Sequence, residues 1–158
     1  MRLDSFVLEK YDLKNAIHVR MKDDLILSPD SFLISRDIDN FIRKNIALGD
    51  SDGITATYVI NWQEEFIGLC FVNYHPREIR NEVILEEEIE IGLGLLPQFR
   101  GKHLGSTLER ELSSKLLSIY PQFSVIVARI DAENIRSINS ALKAGFEHLE
   151  DDVYQYKR

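Results

Sequence analysis

One stretch constrains the fold of this chain more than any other. It runs from Val83 to Leu96 and leads through a glycine-bearing turn into a leucine-spaced segment. One parity of the stretch carries Val83, Leu85, Ile89, Ile91, Leu93 and Leu95, interrupted only by Glu87. The other carries Ile84, Glu86, Glu88, Glu90, Gly92, Gly94 and Leu96. Side chains alternate across a strand, so this pattern predicts a single strand with one core face. The opposite face is acidic and then bare at two glycines. Glycine weakens a strand and marks close approach of a ligand or another backbone. Pro97 to Lys102 reads as a loop. Leu104, Leu108, Leu112 and Leu116 recur every four residues, which predicts an amphipathic helix ending near Tyr120-Pro121.

The remaining elements follow from the same periodicities. Phe6 to Glu9 reads as a strand, and Asp12 to Lys22 as a helix capped by Asp12. A second helix starts at Asp30 or Ser31, carries Phe32, Ile38, Phe41, Ile42 and Ile46 on one face, and stops at Gly49. Ile54 to Asn61 and Phe66 to Asn73 form a hairpin around Trp62-Gln63-Glu64-Glu65. Tyr74 to Asn81 reads as a loop. Phe123 to Ile130 is a continuous apolar run, as in a central strand. Ala132 to Ala144 is a helix with Ile135, Ile138 and Leu142 on one face and Gly145 as its stop, and Phe146 to Leu149 and Val153 to Tyr156 close the chain as two strands. The fold class is α/β, a mixed sandwich around one sheet in the order β-α-α-β-β-β-α-β-α-β-β.

With 158 residues and no repeat, linker or low-complexity segment, one domain over residues 1–158 is expected. Against 19 Lys and Arg stand 26 Asp and Glu, a net charge of −7, which speaks against a nucleic-acid partner. No apolar run reaches the roughly 20 residues that span a bilayer, and Met1 to Lys10 lacks the apolar core of a signal peptide. The expectation is a soluble, reduced, cytoplasmic protein without a membrane partner. Cys70 is the single cysteine, which excludes an intrachain disulfide; on an apolar strand its ordinary use is packing. No histidine spacing resembles a zinc site, so no metal is expected. His18 and His148 read as surface or helix-end residues, and His75, beside Pro76 and Arg77, as a loop residue able to face a substrate.

The segment from Pro97 to Ser106 lies between a strand and a helix. A helix start offers free N–H groups and a positive dipole end, both suited to an anion. Gly101 and Gly105 let the main chain approach a ligand, and Arg100 and Lys102 add positive charge to an acidic chain. A nucleotide P-loop is excluded, because His103 follows Lys102 and no glycine stands at the earlier required position. A dinucleotide fingerprint is excluded because Pro97 takes the third glycine's place after Gly92 and Gly94. A capped helix behind a polar loop is the remaining alternative.

These residues resemble the GNAT superfamily of acyl-CoA-dependent N-acyltransferases. The family's motif [QR]-x-x-G-x-[GA] is read here as Gln98-Phe99-Arg100-Gly101-Lys102-His103. The downstream run Asn134-Ile135-Arg136-Ser137-Ile138 and then Lys143-Ala144-Gly145-Phe146 is similar too. The likeness covers residues 54 to 156. There are two departures: His103 replaces a Gly or Ala, and Ala141 stands where many members carry a tyrosine that protonates the departing thiolate.

The resemblance implies a mostly antiparallel central sheet with helices on both faces, in which two parallel strands splay apart to admit acetyl-CoA. Main-chain groups of Leu93, Gly94 and Leu95 would pair with the pantetheine arm. Gln98 opens the motif, and the amides of Arg100, Gly101, Lys102, His103, Leu104, Gly105 and Ser106 would hold the diphosphate. Asn134 would bind the arm from the other side, unless it is only a helix cap. Acetyl transfer to a primary amine needs a base for the ammonium proton; Glu90, then Glu88, are the candidates, with an N–H near Leu95 for the oxyanion. Tyr154 or Tyr156 could replace the absent acid, although strand packing is their ordinary use. The partners implied are acetyl-CoA and an amine acceptor, with the final hairpin's edges as a route to a homodimer. The alternative is a non-catalytic acyl-CoA-binding module, which His103 and Ala141 favour.

Overall fold

A computed structural model describes residues 1–27 and 38–158. Two strands and two helices open the chain: β1 (Val7–Lys10), α1 (Ala16–Ile26), α2 (Ile38–Asp52) and β2 (Ala56–Trp62). They are followed by β3 (Glu65–His75), β4 (Glu78–Arg80), β5 (Val83–Leu85) and β6 (Glu88–Leu95). A single 3-10 turn (Pro97–Phe99) then leads to α3 (Leu104–Ile119), β7 (Val125–Arg129), α4 (Ile135–Ala144), β8 (Glu147–Glu150) and β9 (Val153–Lys157). Among the described residues, seven strands form one sheet in the order β1-β2-β3-β6-β7-β9-β8, and β4 pairs only with β5. Every neighbouring pair in the large sheet is antiparallel except β6 and β7.

Both faces of the sheet are covered, as a mixed α/β layer requires. On one face Leu104, Leu108, Leu112 and Leu116 of α3, with Ala141 and Ala144 of α4, bury against Ile89, Ile91, Leu95, Ile126 and Ala128. On the other, Met21 and Leu25 of α1 and Ile38 and Ile42 of α2 bury against Val59, Leu69 and Phe71. The four-residue leucine spacing thus does what it predicts. Cys70 is fully buried on β3 and packs in the first of these clusters.

Several expectations are corrected. The stretch from Val83 to Leu96 is two strands, not one. Asn81 and Glu82 both have positive φ, 51° and 66°, which folds Val83–Leu85 back onto Glu78–Arg80 as a separate hairpin. In that hairpin Val83 and Leu85 are exposed rather than core. The alternation holds only within β6. The cap of α1 is Asn15, whose side chain accepts from the Ile17 and His18 N–H groups; Asp12 instead accepts from Lys14 N in the preceding turn. The proposed start of α2 at Asp30 or Ser31 lies outside the described residues. Its end is Asp52, because Gly49 stays helical against the Thr55 carbonyl and the left-handed residue is Gly53. In α4, Ile135 and Leu142 are exposed, and the small residues Ala141 and Ala144 face the core. His18 is buried against Tyr11 and Phe66, with its Nδ1 accepting from Asp12 N at 3.0 Å.

Candidate active site

The site begins where the sheet's one parallel pair comes apart. β6 and β7 are in register only at Ile89 with Ile126 and at Glu90 with Val127. Beyond Glu90 the strands separate, and a cavity of about 440 Å³ opens between them, roofed by α3 and α4. The β3–β6 ladder decides which main-chain groups face this gap. Leu96 N donates to Ile67 O at 2.8 Å, and hydrogen-bonded pairs alternate along an antiparallel ladder. Gly94 and Gly92 therefore direct their N–H and C=O groups to β3. Leu93 and Leu95 direct theirs to the gap. The Leu95 carbonyl agrees with this, since it accepts from Arg100 Nε at 3.0 Å. Of the expected arm-binding residues, Leu93 and Leu95 thus present main-chain groups, whereas Gly94 contributes a bare wall.

The far end of the cavity is the start of α3. Gly101 has φ 75° and His103 has φ 61°, so the chain enters the helix through two left-handed residues. This curls the turn and directs consecutive amides to one side, the arrangement that makes an anion-binding concavity. The first intrahelical bond runs from Thr107 N to His103 O at 3.2 Å. Leu104, Gly105 and Ser106 are left with N–H groups that have no helical acceptor. His103 sits in a conformation that favours glycine.

Gly105 is a point of close approach. A Cβ there would lie 3.0 Å from Ser140 Oγ of α4 and under 4 Å from the side chains of Leu93 and Leu95. Arg100, Gly101, His103, Leu104, Gly105, Ser106 and Asn134 all line the cavity. Gln98 and Lys102 do not; Gln98 is exposed on the 3-10 turn, and the Lys102 ammonium stands 5.9 Å from the Phe99 ring. Asn134 caps α4, its Oδ1 accepting from Ser137 N at 3.2 Å, while also lining the cavity. Capping and lining are compatible, and the residue does both.

Glu88 and Glu90 lie outside the cavity wall, on the sheet face that α3 and α4 do not cover. Glu90 Oε1 is 2.9 Å from His75 Nε2, and Oε2 is 3.4 Å from Arg129 Nη1. Glu88 Oε1 is 2.6 Å from Arg129 Nη2. Arg129 also lines the cavity, so it joins the two regions. Ala141 is fully buried and offers no proton. Tyr154 is buried against His148, and Tyr156 packs on Phe146; neither lines the cavity. His148 is exposed, as expected, and donates to Asp151 O.

One residue of the wall carries no signal in sequence. Glu109 of α3 follows Leu108 of the leucine stripe and is 5% exposed. Burial pushes its carboxyl up to about 8, against a smaller opposing effect of the Ser140 hydroxyl bonded to it. A glutamate beside a buried helix stripe ordinarily reaches solvent; here α4 packs over it. The polar residues Ser137 and Ser140 on α4 would have been the clue, had the contact of α3 with α4 been known.

Among the described residues, no cluster of three or more His, Cys, Asp or Glu could hold a metal, and no helix is long and apolar enough to cross a membrane.

Residues 23–147 match the family model described as the acetyltransferase (GNAT) domain. The match starts 31 residues before the expected position 54, within α1. Comparison with curated proteins gave no significant match. Solved structures share the fold at low identity. An acetyltransferase from Agrobacterium tumefaciens superposes with a TM-score of 0.74 at 17% identity, covering 100% of this chain and 94% of that one. An acetyltransferase from Salmonella typhimurium, described as modifying the N-terminal serine of ribosomal protein L7/L12, gives 0.70 at 19%, covering 98% and 96%. AAC(6')-Ib in complex with an aminoglycoside and acetyl-CoA gives 0.72 at 19%, covering 98% and 94%.

Proposed function

The chain belongs to the acetyltransferase (GNAT) domain family, and on that premise we propose that it transfers the acetyl group of acetyl-CoA to a primary amine by direct attack in a ternary complex. The observation that carries this reading is the parting of β6 and β7 just after Glu90, which leaves main-chain groups of Leu93 and Leu95 facing a cavity that ends at the α3 amides. A diphosphate fits the turn from Gly101 to Ser106, where unpaired N–H groups and the helix dipole meet it. An extended amide-bearing arm fits the gap, because it satisfies main-chain groups that β7 leaves unpaired. Asn134 reaches the arm from α4.

The acceptor approaches from the opposite face, where Glu88, Glu90 and His75 stand. An amine is protonated at neutral pH and attacks only after losing that proton. Glu90, directly or through water, takes it, with Glu88 beside it in the same ion-pair network. The free amine adds to the thioester carbonyl, and a main-chain N–H of β6 turned to the gap stabilises the oxyanion. Leu95, five residues of extended strand (about 16 Å) from Glu90, stands at the diphosphate end and is too far from that base to be the donor. The thiolate then leaves. A thiol of pKa about 8.5 departs without a dedicated acid, so Ala141 does not preclude turnover. Acidic groups at this face suit a cationic acceptor such as a small amine, a polyamine or a protein N-terminus.

The test is release of free thiol from acetyl-CoA over a panel of amines and N-terminal peptides, with products read by mass shift. Release that depends on an amine and falls in Glu90→Gln supports the reading. Binding of acetyl-CoA with no release across the panel would instead favour a non-catalytic acyl-CoA-binding module.

A further inference from the structure

We infer that Glu109 is a binding residue of the cavity: its carboxyl, held by Ser140, donates a hydrogen bond to an amide carbonyl of the cofactor's arm. This deepens the acyl-CoA reading and rests on it. Three buried side-chain atoms lack a hydrogen-bond partner among the described residues: His18 Nε2, Ser113 Oγ and Glu109 Oε2. Only the last belongs to a residue of the cavity wall. A carboxyl kept in a core for structure alone would have both oxygens paired, or would give way to a leucine. Glu109 has one partner, Ser140, and an oxygen left over.

Its position suits the arm. Glu109 lies five residues into α3, about 7.5 Å along the axis from Leu104. An arm leaving a diphosphate at the helix start passes that point. Gly105, one turn earlier on the same side of α3, lets Ser140 Oγ come to where a side chain would otherwise stand. β6 flanks the same spot through Leu93 and Leu95.

The protonation state suits it too. A carboxylate one turn from a bound diphosphate would repel it, whereas a neutral acid does not, and a neutral acid can donate. Burial keeps Glu109 neutral to about pH 8. The titratable and charged groups that share the cavity are Arg100, His103, Arg129, Asp131, Arg136 and Lys143, and the shift has only burial and the Ser140 hydroxyl as its causes.

The experiment is calorimetric titration of the full chain with coenzyme A and with adenosine 3',5'-bisphosphate, which has no arm. Glu109→Leu is expected to lose about tenfold in affinity for coenzyme A and nothing for the bisphosphate. Glu109→Gln, which can still donate, is expected to stay within about threefold for both. Above about pH 8 the wild type should lose affinity for coenzyme A relative to the bisphosphate, and Glu109→Gln should not. The inference is overturned if Glu109→Leu binds coenzyme A as wild type does, if it loses both ligands alike, or if the two pH profiles run parallel. Wild-type protein that binds neither ligand would instead sink the acyl-CoA reading itself.

Discussion

Glu90 Oε1 lies 2.9 Å from His75 Nε2, on adjacent strands of the sheet, at the level where β6 and β7 part. The carboxylate that sequence singles out as a base is therefore not free in solvent. It is braced by an imidazole on one side and by Arg129 on the other. A braced carboxylate is held in one place, which is what proton abstraction from a positioned amine requires. Glu90→Gln should lower kcat by about 100-fold and leave coenzyme A affinity unchanged, since Glu90 stands outside the cavity wall. Thiol release and calorimetry on the same variant separate the two effects. Equal loss of binding and turnover would contradict the assignment.

His103 occupies a left-handed conformation at φ 61°, and its side chain makes no capping bond. Its Nδ1 lies 3.4 Å from Lys143 Nζ, an exposed contact of little weight. Replacing it by glycine removes the clash between Cβ and the carbonyl without disturbing the amides. His103→Gly should raise stability by about 1 kcal/mol and leave coenzyme A affinity the same or tighter. Thermal unfolding and titration check both parts.

Glu109 makes stability depend on pH, with a sign that follows from its direction of shift. The folded protein holds this proton to about pH 8, while an exposed glutamate releases it near 4.5. Between those values the native state binds more protons than the unfolded one, so raising pH favours unfolding by about 1.4 kcal/mol per unit. The stabilisation is full below about pH 4.5 and gone above about pH 8. Glu109→Gln should remove this decline, so that the variant gains on wild type between pH 5 and pH 8 in urea unfolding. Parallel pH profiles would contradict it.

Cys70 is fully buried in β3, and burial pushes its thiol up to about 12. A thiol without solvent access or thiolate character is inert. Native protein should resist alkylation at pH 8, and urea-unfolded protein should react with one equivalent. Rapid native alkylation would show that β3 opens readily.

The strand periodicity of β6, the leucine stripe of α3 and the helix stop at Gly145 were legible in the chain because each is a local pattern. Alternation, four-residue spacing and a left-handed glycine depend on neighbours a few residues away. The turn between β6 and α3 was legible for the same reason: strand, Pro97, Gly101 and helix follow one another directly. The pairing of Val83–Leu85 with Glu78–Arg80 was not, since Asn81 and Glu82 adopt positive φ without a glycine to announce the turn. Nor was the exposure of Ile135 and Leu142, whose apolar spacing describes a core face that α4 does not bury.

Sequence by itself determined the elements around the site, their order and the chemistry of the turn at residues 97–106. Tertiary structure alone decided where β6 leaves β7, which main-chain groups face the gap, and that Glu109 is buried in the cavity wall beside Ser140 of α4 while Glu90 is clasped by His75 and Arg129. The reason is one of range: periodicity and backbone sterics act within a turn or two, whereas burial and ion pairing are set by segments tens of residues apart that meet only when the sheet assembles.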